Sequence, residues 1–332
     1  MSETRTGEGF RDDVRRKGLP AAVLKDLTRQ DDAKAWRGTA ELAGSIALFI
    51  AVPLLWWHPL VIFAAMMLIA TRQQACFVLA HDAAHYRLFA DRRLNDLVGG
   101  IAGMLVGISM HTYRVVHRLH HNHLYAAQDP DIPINAGYPR GRDYLYRKLT
   151  RDVIGLTAFK TYRYFFGNPA INTATNAPGR PLDDTAPKLK AAARRDRWLV
   201  VGFHVAAPLL ALSAGVFVEY LLLWALPLVT FLQPVLRLRA ICEHGAVTDL
   251  SSPLTAARTN LGPEWLIWLF FPLNVNYHVE HHLYPSIPFY NLPAAHRAMR
   301  EHGVLDGAEV RDVRETLAMV MADPAPRAPT PA

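Results

Sequence analysis

Two long apolar runs organise this chain. The first opens at Leu42 and continues to Ala70, interrupted only by Trp56–Leu60, "WWHPL". One helix of that length, rising ~1.5 Å per residue, would overshoot a hydrocarbon core of ~30 Å, and Pro59 is a natural break. The pattern predicts a helical hairpin over about 41–57 and 59–80, with Trp56, Trp57 and His58 at the far interface, where aromatic belts lie. In its second helix Thr71-Arg72-Gln73-Gln74 interrupts the apolar pattern just before "ACFVLA" leads into His81. A charge at that depth faces protein or a cavity rather than lipid. Arg72 and Gln73 either line an interior tunnel or bond a buried polar network, or else they cap a kink in a shorter helix.

The second run covers Trp198 to about Leu236 and is broken at Glu219-Tyr220. It predicts a second hairpin over about 198–217 and 220–236, ending at Arg237 and Arg239. Residues 97–110, "LVGGIAGMLVGISM", are apolar but short and glycine-rich, which suits a re-entrant or interfacial hairpin. Residues 264–273, "EWLIWLFFPL", are also too short to span and are expected at the interface. The rest is polar. Residues 1–40 form a charged N-terminal segment. Residues 111–197 are a long polar stretch whose middle, Gly167 to Lys188, reads as a loop. Residues 301–332 form a C-terminal segment with a disordered tail from Asp323. The expected architecture is an all-α integral membrane protein: four transmembrane helices in two hairpins, with a cytosolic helical cap, within residues 41–300.

Charge decides orientation. The chain carries 36 basic and 29 acidic residues, a net charge of +7. In a soluble protein that balance would raise nucleic acid as a partner; here the basic residues flank apolar runs and no nucleic-acid partner is expected. Arg15, Arg16, Lys17 and Lys25 precede the first hairpin, Arg194, Arg195 and Arg197 precede the second, and Arg237 and Arg239 follow it. The hairpin tips carry almost no Lys or Arg. The positive-inside rule then puts both termini and residues 81–197 in the cytosol. Cys76 and Cys242 are too few for a disulfide framework or a cysteine-held iron–sulfur centre. The polar N-terminus has no apolar core of a signal peptide.

The candidate chemistry lies in histidine. Eight of 15 histidines fall in "HDAAH" (His81, His85), "HRLHH" (His117, His120, His121) and "HVEHH" (His278, His281, His282). Residues three and four apart share a helix face, so each cluster is a comb of imidazoles, the usual transition-metal ligand. One "HxxxH" alone is weak. Three clusters, all on the cytosolic side by an orientation argued without them, are strong. Eight imidazoles exceed the needs of one zinc, structural or catalytic. They suit two metals with positions left open for oxygen, and ligation by imidazole alone permits Fe, Cu, Ni or Zn. A membrane zinc hydrolase is a rival, but "HExxH" is absent. A metal transporter is another, but its ligands belong inside the spans.

"HDAAHYRLF" after the first hairpin, "HRLHHNH" some thirty residues on, and "NYHVEHHLYPSIPFYNLPAAH" (Asn276–His296) resemble the three histidine boxes of the membrane fatty-acid desaturase and hydroxylase superfamily, in order and placement. The resemblance spans about residues 70–300. It implies two non-haem irons, O2 as co-substrate, and desaturation of a fatty-acyl or similar lipid chain, with hydroxylation of a lipid, alkane or terpenoid as the alternative. It also implies a further histidine ligand after the second hairpin, where "RAICEHGAV" supplies His244; His123 is the rival, more readily placed as a neighbour of the ligands. Asp82 and Glu280, inside the boxes, are expected to orient ligating rings. His58, His111, His204, His296 and His302 have bland placements: a far interface, a helix start, a polar group in a span, and two surface helix positions. No fused cytochrome motif such as "HPGG" is found, so a separate ferredoxin, rubredoxin or cytochrome is expected to deliver electrons. The basic Arg140, Arg142, Arg147, Lys148 and Arg151 suit an acidic partner or anionic headgroups. The expected location is a bacterial inner membrane.

Overall fold

The computed structural model describes residues 18–126, 129–166 and 186–324. Arg15, Arg16 and Lys17, most of the loop expected at Gly167–Lys188, and the tail beyond Pro324 lie outside the described residues. After a short helix α1 (Ala21–Leu27), the first apolar run folds as the expected hairpin, α2 (Asp32–Leu55) and α3 (Pro59–Ala84). Its start signals are local. The Asp31 carboxylate accepts the N–H groups of Ala33 and Lys34, so α2 begins well before position 41. At the tip, Pro59 occupies the first turn of α3 and His58 Nδ1 accepts the Leu60 N–H at 3.3 Å.

Helix α3 runs unbroken through Thr71–Gln74, so these residues cap no kink. They bond a buried network. Helix α10 (Glu264–Phe270; α4–α9 follow below) ends beside them, presenting the last-turn carbonyls that a helix cannot satisfy itself. The Arg72 guanidinium lies 3.7 Å over the Trp268 ring and donates to the Trp268 and Leu269 carbonyls. Gln74 donates to the Phe270 carbonyl and Gln73 to that of Trp224, each at 2.9 Å.

The glycine-rich segment becomes α4 (Arg92–Leu105), which meets α5 (Met110–Asn122) at 95°. Gly99 lets α4 cross α3 closely: a Cβ there would lie 2.1 Å from the Ala83 Cβ. The stretch read as long and polar also holds a single helical turn at Ile132–Asn135 and the longer helices α6 (Arg142–Val153) and α7 (Ala158–Phe165).

The second apolar run also folds as a hairpin, α8 (Pro187–Ser213) and α9 (Phe217–His244). Its break is not at Glu219-Tyr220, which are helical. It falls at 214–216, where Gly215 adopts φ +73° and no side chain is strained. Helix α9 contains a π turn at Leu221–Ala225 and continues past 236 to His244. It can do so because Arg237 is paired with Asp152 and Arg239 with Glu243, the latter at 2.9 Å. Among the described residues α2, α3 and α9 are long and apolar enough to cross a membrane, and the bent α4–α5 pair could be a fourth crossing. Helix α8 is apolar only in its second half.

The all-α expectation misses one feature. Strand β1 (Thr259–Leu261) pairs in parallel with β2 (Val310–Asp312). Helices α11 (His278–Leu283), α12 (Leu292–Glu301) and α13 (Val313–Met321) complete the chain. The largest core cluster centres on the C-terminal half of α3, where Phe77, Leu79, Ala80 and Ala83 pack against Leu88, Phe89, Met110 and Leu232.

Candidate metal centre

Nine histidines from α3, α5, α9 and α11 converge. His81 and His85 close α3, His117, His120 and His121 lie on the last two turns of α5, His244 ends α9, and His278, His281 and His282 make up α11. Their ring nitrogens form two groups, each within 4.8 Å: His81, His85, His117, His121 and His281 in one, His120, His244, His278 and His282 in the other. The combs do not act as units. On α5 the i, i+4 pair His117 and His121 goes to the first group while His120, turned by one residue, goes to the second. On α11 the i, i+4 pair His278 and His282 goes to the second and His281 to the first. A spacing of four keeps two rings on one face, and a shift of one residue turns the third by about 100°.

The chemistry of the donors tests whether these groups fit metal. His120 presents Nδ1 to Asp129 Oδ1 at 2.9 Å, and His244 presents Nδ1 to the Ala256 carbonyl at 3.0 Å. Each partner accepts only, so in the neutral rings the proton sits on Nδ1 and Nε2 carries a lone pair. Those two Nε2 atoms face one another at 3.2 Å. His244 Nε2 also lies 2.8 Å from His278 Nε2, which lies 3.1 Å from His282 Nε2. In the first group His121 Nε2 is 3.0 Å from the Nε2 atoms of both His117 and His281. Both His81 nitrogens and His85 Nε2 are buried without a partner. Facing lone pairs in a buried site repel unless a proton or a metal cation lies between them. Against burial, which lowers it, Asp129 and Asp131 raise His120 to about 9 in the metal-free site, so a proton can fill that place until a metal displaces it. Nitrogens ~3.0 Å apart are also the spacing of neighbouring ligands at right angles around an ion ~2.1 Å from each. The residues fit two metal ions held by imidazole, with no thiolate; Cys76 and Cys242 are buried elsewhere.

The electrostatics agree. Burial, then the neighbouring rings, holds His281 and His282 well below the usual imidazole range, as it does His278. Burial, with Arg87 and Arg114 beside it, lowers His85 to about 3. These rings are neutral at physiological pH, the form that ligates.

The orienting groups differ from those expected. Asp82 Oδ1 stands 3.4 Å from His81 Nδ1 without bonding it, while Oδ2 accepts the Phe289 N–H at 2.8 Å. Glu280 holds no ligand ring: it accepts from Thr259 at 2.5 Å and pairs with His296, which is buried and not on the surface. A sequence cannot show that α12 folds back over α11. Asp129 and Asp131, passed over in the sequence, both approach His120 Nδ1, at 2.9 and 3.4 Å. Burial would push Asp129 up, but His120 and the N–H groups of Tyr125 and Asp131 hold it below the usual carboxylate range. Glu243 Oε1 lies 3.8 Å from His278 Nδ1. Alternating "DPD" after a histidine box was the available signal. His123 joins neither group and ends α5. His111 starts α5, bonded to Asp196 at 2.6 Å; His204 reaches the Met104 carbonyl at 3.0 Å; His302 is on the surface.

Arg258 latches the end of α9. Fully buried, it donates to the carbonyls of Cys242, Gly245 and Ala246 and is held by Glu309 at 3.2 Å, one residue before β2. A cavity of 320 Å³ reaches both groups, with His117, His120, His244 and His278 on its wall beside Tyr113 and Glu243.

Helices apolar and long enough to cross a membrane, packed around two buried all-histidine clusters that could hold metal, mark out the class of protein. Residues 54–312 match the family described as Fatty acid desaturase. The chain belongs to that family and is a desaturase-type oxidoreductase. It is 26% identical over 308 residues to the sn-1 oleoyl-lipid 12-desaturase of Synechocystis sp., covering 87% of this chain and 82% of that one. It is 27% identical to the protein of the same name from Anabaena variabilis, at 87% and 83% coverage. It is 25% identical to the dihydrorhizobitoxine desaturase of Bradyrhizobium elkanii, at 73% and 68%.

Proposed function

We propose that the chain introduces a double bond into a fatty-acyl or similar lipid chain, using O2 at two irons held by His81, His85, His117, His121 and His281 on one side and His120, His244, His278 and His282 on the other. The observation that carries this reading is the convergence of nine histidines in two groups, the ring nitrogens of each within 4.8 Å of one another, beside a cavity that reaches both. With two irons bound, the centre would supply the oxidising power to take hydrogen from an unactivated carbon. Desaturation balances as one O2, two electrons, two protons and one CH2–CH2 unit giving one CH=CH unit and two waters. Hydroxylation is the second reading, since the same donor set serves it.

The chain's own residues do the rest. The nine rings fix the ion positions, Asp129 and the Ala256 carbonyl fix two ring tautomers, and the buried walls exclude water. We place α2, α3, α8 and α9 across a bacterial inner membrane, with the histidines on the cytosolic face under a cap made by α5–α7 and α10–α13. A separate ferredoxin, rubredoxin or cytochrome would supply the electrons, and the basic residues of α6 suit an acidic donor. Elemental analysis with Mössbauer spectroscopy on ⁵⁷Fe-grown protein tests the reading. Two coupled irons per chain are expected; one zinc and no iron in fully metallated protein would sink it. His120→Ala and His281→Ala should each abolish double-bond formation while the protein still accumulates in membranes.

A further inference from the structure

Helix α11 is six residues long and carries three of the nine histidines, feeding both groups. A helix that short does not hold itself together in water, and no side chain caps its start. Two of its rings have nothing of their own to orient them: His278 Nδ1 and His282 Nδ1 are buried without a hydrogen-bond partner among the described residues. Glu243, 3.8 Å from His278 Nδ1, is beyond bonding distance. Ligating histidines ordinarily give that second nitrogen to a carboxylate or carbonyl, as His120 and His244 do. The direction of His278 and His282 therefore follows from how the helix itself is placed.

Glu280 places it. Successive residues turn by about 100°, so Glu280 points nearly opposite His278 and His282. Its side chain is fully buried and held on both oxygens. Oε2 accepts the Thr259 hydroxyl of β1 at 2.5 Å, and Oε1 accepts from His296 Nδ1 of α12. The Thr259 oxygen in turn accepts the Val279 N–H at 3.2 Å, one of the first-turn donors that a helix leaves open. Just before α11 the Asn260 N–H donates to the Asn276 carbonyl at 2.9 Å, and Asn276 Nδ2 to the Asn260 carbonyl at 3.1 Å.

Apolar contact alone would not set the rotation. Val279 and Leu283 share a core cluster with Leu292, Ala295 and Met299 of α12, but such burial is non-directional. A ring nitrogen roughly 5–6 Å from the helix axis moves by about 1 Å when the helix turns by about 10°. Ligands have to be kept to within about 0.5 Å of their working positions. Two directional bonds on a residue of the opposite face supply that restraint.

We propose that His296 and Thr259 are positioning residues for the metal centre: gripping Glu280 from two sides, they fix the rotation of α11 and so aim His278 and His282 at one ion and His281 at the other. The proposal rests on the nine histidines holding two metal ions, whatever the metal and the reaction.

Anaerobic titration of the stripped full chain in detergent with cobalt(II), against a chromophoric chelator, tests it. His296→Leu keeps an apolar filling but removes the donor. Both metal equivalents should weaken, each at least about tenfold, and the visible cobalt bands should move. His296→Asn sets an amide donor close to the place of Nδ1 and should restore most of that affinity, although it fills the space less well. Thr259→Val, the same shape without the hydroxyl, should behave like His296→Leu, and Thr259→Ser like the native protein; this pair carries the test if His296→Leu does not accumulate. Native affinity for both ions in His296→Leu and Thr259→Val, a shift of one equivalent alone, or His296→Asn binding worse than His296→Leu would overturn the proposal, the last by showing that His296 merely fills space. Native protein that binds two cobalt ions yet forms no double bond would count against the proposed reaction alone; native protein that takes up none would overturn both.

Discussion

Asp129→Asn removes one negative charge with almost no change of shape, at a residue that touches only one of the nine rings. In the native protein the carboxylate accepts from His120 Nδ1 at 2.9 Å and from the N–H groups of Tyr125 and Asp131 at 2.8 and 2.9 Å. The amide keeps one acceptor oxygen, which can stay with His120 and the Asp131 N–H, sharing Oδ1, while its NH2 then faces the Tyr125 N–H that Oδ2 had accepted. What is lost is the ionised partner that fixes the His120 tautomer and makes its Nε2 a better donor. A hydrogen bond to a buried charged group contributes ~1.5–3 kcal/mol, and at ~1.4 kcal/mol per decade that is ~10–100-fold in affinity. Outer partners of metal-ligating histidines show losses of that size. His120 belongs to the four-histidine group alone, so one metal equivalent should weaken by this factor and the other should not. Anaerobic titration of stripped protein with cobalt(II) against a chromophoric chelator reads both equivalents. Two equivalents shifting together, or neither moving, would refute the assignment. Asp131→Asn should do less, because its carboxylate stands 3.4 Å from the ring and is already held by Tyr164.

Other outcomes follow from the same geometry. His85, His278, His281 and His282 are held below their unfolded value of ~6.5 by burial, so below that pH the unfolded chain binds protons that the native one does not. Metal-stripped protein should therefore lose stability as pH falls from 7 to 5, by up to ~1.4 kcal/mol per pH unit for each ring; a flat Tm across that range in detergent would contradict it. Arg72→Leu strands the Trp268 and Leu269 carbonyls and should cost ~2–3 kcal/mol, read by thermal unfolding, with Arg72→Lys rescuing little because it lacks the planar fork. Gly99→Ala forces α4 away from Ala83 and should cost ~1–3 kcal/mol; unchanged Tm would mean the helices are not in contact there.

Much of the membrane part was legible because its signals are local. Pro59 with its aromatic neighbours marks a tip in any context, and a polar patch inside an apolar helix must find partners, as Arg72 and Gln74 do on α10. The second tip was misplaced since Glu219 looks like a boundary, whereas Gly215 is the residue that permits the turn. The histidines were visible as a set, but not their division: that depends on how α5 and α11 are rotated against each other, which no spacing records. Asp129 and the Glu280–His296 pair were missed for the same reason, being contacts between elements distant in the chain or turned in space.

The latch at Arg258 has a practical side. Because Glu309 holds Arg258, and Arg258 holds the backbone on both sides of His244, a residue of the candidate metal centre depends on chain more than sixty positions downstream. Fusion tags placed beyond α13 leave this arrangement untouched. Proteolytic trimming or a cloning boundary that removes Glu309 and β2 would release His244, even though the shortened protein keeps every histidine.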